Sequence, residues 1–522
     1  MRRLVIPAAA VSTGAAVIVS AIAAPTTGRA GAAFVSHGIA ARAAASCQSA
    51  QRRPFDEPFT VVAADKRRNG SVTIIEGNDP SKRTTFDGGD FGLTGTGTQH
   101  FGASLTSGMF NADNYRDLAI GVPGATVTPK GGRPQRGAGA VVILYGGPTG
   151  LSASDSTVIT QDAAGLSGTA HTGDAFGSAL AAGRFTGGRY DDLAVGAPGE
   201  DGADHRVLTG QIDVLPGTSG GLTARGAEVV SRHSAGIPGS VRQWGSVLAA
   251  GRLTAAKRGD LIVGIPGAKV NGHPRAGRVD IVYSTATGFR HRHNQTFTEN
   301  TPGVPGRVTA NARFGASLAT GFFTSARRDD LAIGAPDATV RSVRDAGSVD
   351  VLYSQDSGLT TRRAQLFTQT LPGVGTATGT RQSGIGAQFG SALIAAGTQR
   401  FTREGGVPCR FRRRLVVGAP DGTGRYGRGI NGGAAIVVIK GSAAGLTARG
   451  SRTFEDPENP GKGGTGWGSV LGTDGWFVAI FHRERLSGDR SVDQIAFLDL
   501  GGDHATFGVR PRTGVAATAL TL

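Results

Sequence analysis

An aspartate opens the same short motif at four places in the chain. The motif reads Asp-Leu, then Ala or Ile, then Ile or Val, then Gly, and its aspartates are Asp117, Asp192, Asp260 and Asp330. A repeated carboxylate can bind a cation, act as an acid or base, or hold a turn by accepting backbone N–H groups. Arginines stand close by in the sequence, and an Asp that ends a turn beside Arg favours the structural role. We therefore predict that these aspartates anchor turns.

Histidines and a group of acids offer two further chemical candidates. His291 and His293 alternate, so on a strand they would share a face and could contribute to a metal site. Such a pair more often faces solvent. Glu200, Asp201 and Asp204 form an acidic loop after the second Asp-Leu motif, and a surface loop is its simpler explanation.

Two short patterns resemble functional motifs of other proteins. Residues 217–221, Gly-Thr-Ser-Gly-Gly, resemble the surroundings of a protease serine, but related turns recur along the chain and no matching His and Asp order is evident. Arg258, Gly259 and Asp260 spell a cell-adhesion tripeptide. Because Asp260 heads a repeated motif, coincidence is favoured, with Arg258 exposed and Asp260 held in its turn.

An internal repeat of roughly 70–80 residues runs through the chain. Each copy has an aromatic-Gly pair, then a strand motif of the type DLAVGAP, then a strand that begins with Gly, as in GSVDVLYS. The aromatic residues of the pair are Phe101, Phe176, Trp244, Phe314, Phe389 and Trp467. An earlier copy without the aromatic-Gly pair begins near Thr60. The last DLAVGAP copy, from Asp493, is degenerate.

The repeats predict four short strands each and an all-β fold. Alternation in GSVDVLYS indicates a half-exposed strand, whereas the apolar DLAVGAP indicates a buried inner strand. One such sheet cannot bury both of its faces, and radial repetition solves the problem. We predict a β-propeller of seven blades, each with four antiparallel strands, and six blades is the alternative.

The repeated motifs resemble the FG-GAP repeats of the integrin alpha-subunit N-terminal β-propeller and its bacterial exported relatives. The resemblance rests on six aromatic-Gly copies in register with the DLAVGAP and Gly-x-Val strands, and it covers residues 58–510. It implies a propeller whose ligands meet the loops of one face. The longest loops, where we expect such contacts, are 126–136, 200–208 and 399–414.

The same resemblance implies Ca²⁺ in the turn between the first two strands of some repeats. The first such turn matches the family pattern at Asn111, Asp113 and Asp117, with the Tyr115 carbonyl, but it has Met109 in place of the first acid. Hard cations need several oxygen ligands, so we expect at most one weakly bound Ca²⁺ here.

The later turns have lost most of these ligands. The second offers Arg184, Thr186 and Gly188 before Asp192, and arginine there could replace the cation by supplying positive charge. The third, fourth and fifth turns likewise carry Arg, Thr, Ala or Phe at the positions of the family's acids.

The N-terminal segment of the chain predicts export. Residues 1–24 have Arg2 and Arg3 before an apolar stretch and a small-residue cleavage site, as in a signal peptide; an uncleaved anchor is the alternative. An Ala/Gly-rich segment of low order, 25–57, follows, and 511–522 form a C-terminal tail. In an exported chain Cys47 and Cys409 can form one disulfide, although the sequence does not show that they meet. Asn69 and Asn294 begin glycosylation acceptor motifs.

Net charge indicates the chemistry of the partners. The chain has 522 residues and a net charge of +16, which favours anionic partners. No basic run with interleaved aromatics indicates a nucleic-acid platform, and no segment after the signal is apolar enough to span a bilayer. We expect a secreted or cell-surface protein that binds an extracellular protein or an anionic surface polymer.

Two functional hypotheses follow from the sequence. The first is an exported, noncatalytic binding or adhesion propeller. The alternative is an exported hydrolase of the phospholipase or esterase kind, because some FG-GAP proteins are phospholipases. Those phospholipases carry a separate catalytic domain before the propeller, and only about 30 residues separate the signal from the first strand here. The first hypothesis is favoured because no convergent acid/base set is evident.

Overall fold

The computed structural model describes residues 99–455, with gaps, and separate segments nearer both ends. The gaps are 167, 202–207, 240–241, 256–257, 325–327, 372–373, 375–386, 397–402, 405–406, 409–413 and 421–434. The outer segments are 17–20, 60–65, 69–76, 83–93, 470–473, 477–485, 491–499, 506–510 and 518–521. The predictions for Cys47, for Cys409 and for the segment 25–57 lie outside the described residues.

The described chain is all-β, as predicted, and its strands form antiparallel sheets of four or five. The helix described is a single 3₁₀ turn, Gly88–Phe91. Sheet 1 contains β1 (Val17–Ser20), β2 (Thr60–Asp65), β3 (Ser71–Glu76) and β4 (Arg83–Phe86). Sheet 2 contains β5 (Ser104–Gly108), β6 (Asp117–Val122), β7 (Ala140–Leu144) and β8 (Ser156–Ile159).

Sheets 3 and 4 each carry an extra two-stranded hairpin. Sheet 3 contains β9 (Ala179–Gly183), β10 (Asp192–Ala197), β11 (Gln211–Leu215) and β14 (Glu228–Val230), with the hairpin β12 (Gly217–Thr218) and β13 (Gly221–Leu222). Sheet 4 contains β15 (Val247–Gly251), β16 (Asp260–Ile265), β17 (Arg278–Val282) and β20 (Gln295–Phe297), with the hairpin β18 (Ser284–Thr285) and β19 (Gly288–Phe289).

The remaining strands form sheets 5, 6 and 7. Sheet 5 contains β21 (Ser317–Gly321), β22 (Asp330–Ala335), β23 (Ser348–Gln355) and β24 (Gly358–Phe367). Sheet 6 contains β25 (Ala392–Ala396), β28 (Arg414–Ala419), β29 (Ala435–Ser442) and β30 (Gly445–Glu455), with β26 (Arg403–Glu404) and β27 (Val407–Pro408) as a hairpin. Sheet 7 contains β31 (Val470–Thr473), β32 (Phe477–Arg485), β33 (Ser491–Asp499), β34 (Thr506–Arg510) and β35 (Thr518–Thr521).

Two of these strands fall in segments for which the sequence predicts other roles. β1, which pairs with β2, lies in the segment predicted as a signal peptide. β35, which pairs with β34, lies in the predicted C-terminal tail. The prediction of export itself remains a prediction.

The first strands of successive sheets are neighbours. β5 packs beside β9, β9 beside β15, β15 beside β21, β21 beside β25, and β25 beside β31; β1 packs beside both β31 and β5. The strand that follows the aromatic-Gly pair therefore lies at one edge of its sheet, beside the corresponding strand of the next sheet. The DLAVGAP strand is fully buried, as predicted, but it lies second in its sheet.

The third strand of each repeat is more buried than its alternation suggests. We expected GSVDVLYS to be half exposed, yet Ser348 is 3% exposed and Asp350 is 0% exposed. Val349 and Val351 pack against sheet 6, whereas Leu352 packs against sheet 4. The prediction was wrong because sheets cover this strand on both faces, so the polar residues between the valines are buried too.

Glycines bring the backbones of neighbouring sheets into direct contact. A Cβ on Gly196 of β10 would lie 2.1 Å from the carbonyl oxygen of Gly245, the glycine of the next aromatic-Gly pair. No side chain fits at such a distance. The same approach relates Gly121 to Gly177, Gly264 to Gly315 and Gly334 to Gly390, with distances of 2.0–2.2 Å. The backbone N–H of Gly177 donates to the Gly196 carbonyl within sheet 3 and so fixes this glycine beside the strand.

A tyrosine adds a second bond between sheets. The Tyr145 hydroxyl accepts the backbone N–H of Leu222 at 3.0 Å, although Tyr145 follows β7 and Leu222 lies in the hairpin of sheet 3. Tyr283 and Tyr353 accept from Leu359 and Leu446 of the following sheets in the same way. In sheets 2 to 6 neighbouring repeats are therefore joined at their apolar cores and glycines, and three of these four junctions also have the tyrosine bond.

In sheets 2 to 5 the repeated aspartates join the turn before the second strand to the end of the third strand or the residues just after it. One carboxylate oxygen of Asp260 accepts the Leu253 N–H at 2.9 Å, and the other accepts the Ser284 N–H at 3.0 Å. The anchoring prediction is confirmed, because the other three aspartates make equivalent pairs of bonds. Asp117 accepts from Phe110 and Gly146, Asp192 from Thr186 and Gly217, and Asp330 from Phe323 and Ser354.

Replacing Asp260 by Asn should destabilise the protein. The amide can present only one oxygen, so a buried N–H group loses its acceptor, which costs roughly 1–3 kcal/mol of the free energy of unfolding. Urea denaturation of the whole chain measures the change, and Asp155→Asn, at an exposed aspartate, is the matched control. Equal stability of both variants would contradict the anchoring role.

Candidate functional site

The turn predicted to bind Ca²⁺ is organised by its own hydrogen bonds. The Asn111 amide donates to the Asp113 carboxylate at 2.6 Å, and the other carboxylate oxygen of Asp113 accepts the Tyr115 N–H at 2.7 Å. Asp117 is buried, with both oxygens occupied by backbone N–H groups. Burial raises the pKa of Asp117 to about 6. Asn111 and Asp113 are hydrogen-bonded to each other, and a weakly bound Ca²⁺ at this turn stays a prediction.

The next turn has arginine where the family has an acid. Arg184 is about half exposed, and its Nε lies 3.6 Å from the carboxylate of Asp191. Asp192 instead accepts the backbone N–H and the hydroxyl of Thr186 at 2.8 and 3.0 Å. The threonine thus occupies the oxygen that a cation would bind.

Three further sequence candidates are placed by the structure. Asp260 is 0% exposed, so it cannot be presented to a receptor as part of an adhesion tripeptide. Arg258 is half-buried rather than exposed, contrary to expectation, because its side chain lies against Gly187. His291 and His293 are exposed, and the Nδ1 atom of His291 lies 2.9 Å from the Ser234 carbonyl oxygen.

A cavity of about 350 Å³ lies at the end of the sheets that carries these turns. Its charged lining residues are Arg184, Asp191, Arg252 and Asp329. Asp191 pairs with Arg184, and Asp329 accepts the Arg252 backbone N–H at 2.9 Å. The charges of the lining are therefore mixed, which does not select one class of ligand.

The loop 126–136 and the described residues 200, 201 and 208 of the next long loop lie at the opposite end of the sheets. The loop 126–136 is closed by bridging between Val127 and Gln135. It packs against the segment before β9, where the Thr172 hydroxyl donates to Gln135 at 2.7 Å and the Gly173 N–H donates to the Arg136 carbonyl at 3.0 Å. The loop 200–208 begins beside the same segment, because the Gly199 N–H donates to the Asp174 carbonyl at 3.0 Å.

His171, Asp174 and Glu200 form a cluster where these segments meet. One ligand atom from each lies within 4.8 Å of the others. The backbone N–H of His171 donates to the Asp174 carboxylate at 2.6 Å. The Nδ1 atom of the His171 imidazole lies 3.7 Å from the same oxygen. Asp174 is 3% exposed, whereas His171 is exposed. Burial first, and then the nearby Glu200, raises the pKa of Asp174 to about 7.

Buried polar atoms without partners adjoin this cluster. Gln161 is 2% exposed; its Nε2 donates to Glu200 at 3.0 Å, and its Oε1 has no hydrogen-bond partner in the described structure. Asp213 is also 2% exposed, with Oδ2 likewise unpartnered. Burial, and then the charge of Glu200, raises the pKa of Asp213 to about 7. The site holds more oxygen ligands than its own hydrogen bonds use.

Sequence reasoning found only part of this site. Glu200 and its loop were noted as acidic, but Asp174 and His171 were not, because they precede the aromatic-Gly pair by a few residues and belong to no motif. Only the antiparallel pairing of β9 with β10 brings residue 174 beside residue 200. Asp204 lies outside the described residues, as does most of the loop 399–414.

A related pair of acids lies between sheets 4 and 5. Glu299 and Asp350 both lie against Gly306, whose N–H donates to Asp350 at 2.9 Å. Each retains a buried carboxylate oxygen that has no hydrogen-bond partner among the described residues. Burial, and then the charge of Asp350, raises the pKa of Glu299 to about 9, and burial raises the pKa of Asp350 to about 7.

Comparison with known proteins adds partial similarities. No family model matches the chain. The phosphatidylinositol-glycan-specific phospholipase D of Rattus norvegicus is 33% identical over 114 residues, which are 22% of this chain and 13% of that protein. The Bos taurus protein of the same name is 30% identical over 184 residues, 35% of this chain and 20% of that protein. The chain thus spans a fifth or less of the length of these relatives.

Two solved structures resemble the fold only loosely. A leech intramolecular trans-sialidase complexed with 2,7-anhydro-Neu5Ac has a TM-score of 0.34 and 9% identity, with 81% of this chain and 79% of that chain covered. An ancestral GH74 enzyme has a TM-score of 0.34 and 8% identity, with 89% of this chain and 64% of that chain covered. Such TM-scores are too low to support an inference.

Replacing Glu299 by Gln should stabilise the protein at alkaline pH. The pKa of Glu299 in the folded state lies above its ordinary value. Its contribution to the free energy of unfolding is therefore fully present below about pH 4.5 and is lost as the pH rises toward 9. Gln161 occupies the position after β8 that Glu299 occupies after β20. A glutamine at position 299 likewise cannot ionise, so no charge is buried there at any pH. We expect a gain of roughly 1–3 kcal/mol at pH 8 that shrinks at pH 5. A gain that is the same at both pH values would contradict the buried pair.

Proposed function

We propose that the sheets close into a seven-bladed propeller of the FG-GAP type. The order in which the first strands follow one another supports this, since β1 packs beside both β5 and β31. The direct glycine contacts between successive sheets support it as well, because they recur with the period of the FG-GAP motifs. The chain is then a rigid scaffold whose loops can vary, as propellers require for ligand binding.

On this scaffold the protein is an exported, noncatalytic binding module. The observation that carries the proposal is that the loop 126–136 and the start of the loop 200–208 both adjoin the segment before β9, at one end of sheets 2 and 3. Lys130, Arg133 and Arg136 are exposed on the first of these loops. Together with the net charge of +16, they favour an anionic surface polymer or an acidic protein as the ligand. The signal peptide predicted from the sequence supports a secreted or cell-surface location.

The alternative is an exported hydrolase. The similarity to phosphatidylinositol-glycan-specific phospholipase D supports it, but the match involves 13% and 20% of those proteins. A hydrolase would use the cluster of His171, Asp174 and Glu200, the described group in which an imidazole meets carboxylates. In the described part of the chain, no helix has the length and apolar character needed to cross a bilayer.

A binding experiment with matched variants tests the proposal. The protein is titrated with hyaluronan, polyglutamate and polyphosphate at 50 and 150 mM salt. The triple variant Lys130→Gln, Arg133→Gln and Arg136→Gln should lose at least about ten-fold in affinity, because it removes the charges of the binding face. The triple variant Arg362→Gln, Arg363→Gln and Arg449→Gln removes three exposed charges elsewhere and should lose far less.

Equal losses in the two triple variants would show attraction by net charge alone and would contradict a site at the loops. The hydrolase alternative is tested on the same preparations with phospholipid and ester substrates. Turnover that is abolished by Glu200→Gln and retained in Asp155→Asn would overturn the noncatalytic proposal.

A further inference from the structure

We propose that His171, Asp174 and Glu200 bind a divalent cation of the Zn²⁺ class where the segment before β9 meets the residues that follow β10. This site is separate from the turn of Asn111, Asp113 and Asp117, which lies at the other end of the sheets. The proposal does not depend on the identity of the ligand or on the closure of the sheets.

The first argument is the ligand set. An imidazole nitrogen and two carboxylate oxygens lie within 4.8 Å of one another, and these are the ligand types that Zn²⁺ accepts. The imidazole distinguishes the site from Ca²⁺ sites, which use oxygen ligands. His171 is exposed, so the site opens to solvent on that side, and a cation can enter it.

The second argument is independent of the cluster itself. Gln161 is 98% buried, its amide end lies against Glu200, and its Oε1 has no partner in the described structure. A buried amide oxygen without a hydrogen-bond donor costs folding free energy. A cation beside Glu200 would give this oxygen a positively charged partner. The Oδ2 atom of Asp213, equally buried, is unpartnered near the same glutamate.

The third argument is a comparison between equivalent junctions of the same chain. Asp280 occupies in sheet 4 the place of Asp213 in sheet 3. Asp280 accepts hydrogen bonds from the Arg278 guanidinium at 2.6 Å and from the indole N–H of Trp244 at 3.0 Å. In sheet 3 the place of Arg278 is taken by Gln211, which donates to Asp213 at 3.2 Å. One junction therefore contains its own cation, and in the described part of the other the acids outnumber the positive groups.

Metal titration of the full chain tests the proposal. After stripping with chelator, the protein is titrated with Zn²⁺, Mn²⁺ and Ca²⁺ by calorimetry. We expect one equivalent of Zn²⁺ to bind, more tightly than Ca²⁺. His171→Ala and Glu200→Gln should each weaken Zn²⁺ binding by at least about ten-fold. Because both residues are at least partly exposed, these variants are expected to fold, and their circular dichroism and thermal midpoints check this.

Two control variants make the result specific. His233→Ala removes an exposed imidazole elsewhere, and Asp113→Asn alters the predicted Ca²⁺ turn; both should bind Zn²⁺ as the parent chain does. The proposal is overturned if Zn²⁺ does not bind saturably, if His171→Ala and Glu200→Gln bind it unchanged, or if Asp113→Asn or His233→Ala weakens it equally. Tighter binding of Ca²⁺ than of Zn²⁺ would overturn the role of the imidazole.

Discussion

The structure depends on the contact of backbone with backbone between neighbouring sheets. The glycine in the second strand of one sheet lies against the carbonyl of the glycine in the next aromatic-Gly pair, at a distance that excludes a Cβ atom. The following aromatic-Gly segment also bonds to the start of the preceding third strand, as when the Phe176 N–H donates to the Ala138 carbonyl. Because this spacing is set by the backbone, successive sheets from sheet 2 to sheet 6 meet with the same geometry.

The uniform geometry explains why polar groups become buried at the junctions. With sheets on both faces, the third strand has no exposed side, so Asp213, Asp280 and Asp350 are each enclosed between two sheets. Each buried carboxylate requires a positive charge or hydrogen-bond donors nearby, and the groups that surround it differ at the three junctions. Asp280 has Arg278, whereas Asp350 has Glu299 beside it and Asp213 adjoins the cluster of His171, Asp174 and Glu200. The candidate site thus lies at a junction where the described residues supply no cation to the buried aspartate.

Much of the fold could be predicted because it follows from local repetition. Spacing of the aromatic-Gly pairs predicted the four-stranded units, and the turn position of Asp260 predicted its anchoring role. Burial of Asp350 could not be read from alternation, since alternation describes one sheet and the second cover comes from its neighbour. The site at His171 was missed for a similar reason: its residues come from segments on either side of a hairpin, and no motif marks them. The similarity to part of a phospholipase D does not supply these positions either.

The most direct test of the backbone contact is a comparison of two glycine substitutions in one sheet. Gly196 lies at the contact, whereas a Cβ on Gly188 would meet the Thr186 Oγ1 atom at 3.8 Å, an ordinary van der Waals distance. Urea denaturation of the full chain should show that Gly196→Ala loses at least about 1–3 kcal/mol in free energy of unfolding, while Gly188→Ala changes it by less than about 0.5 kcal/mol. Equal effects of the two substitutions would contradict the view that the sheets are joined through their glycines.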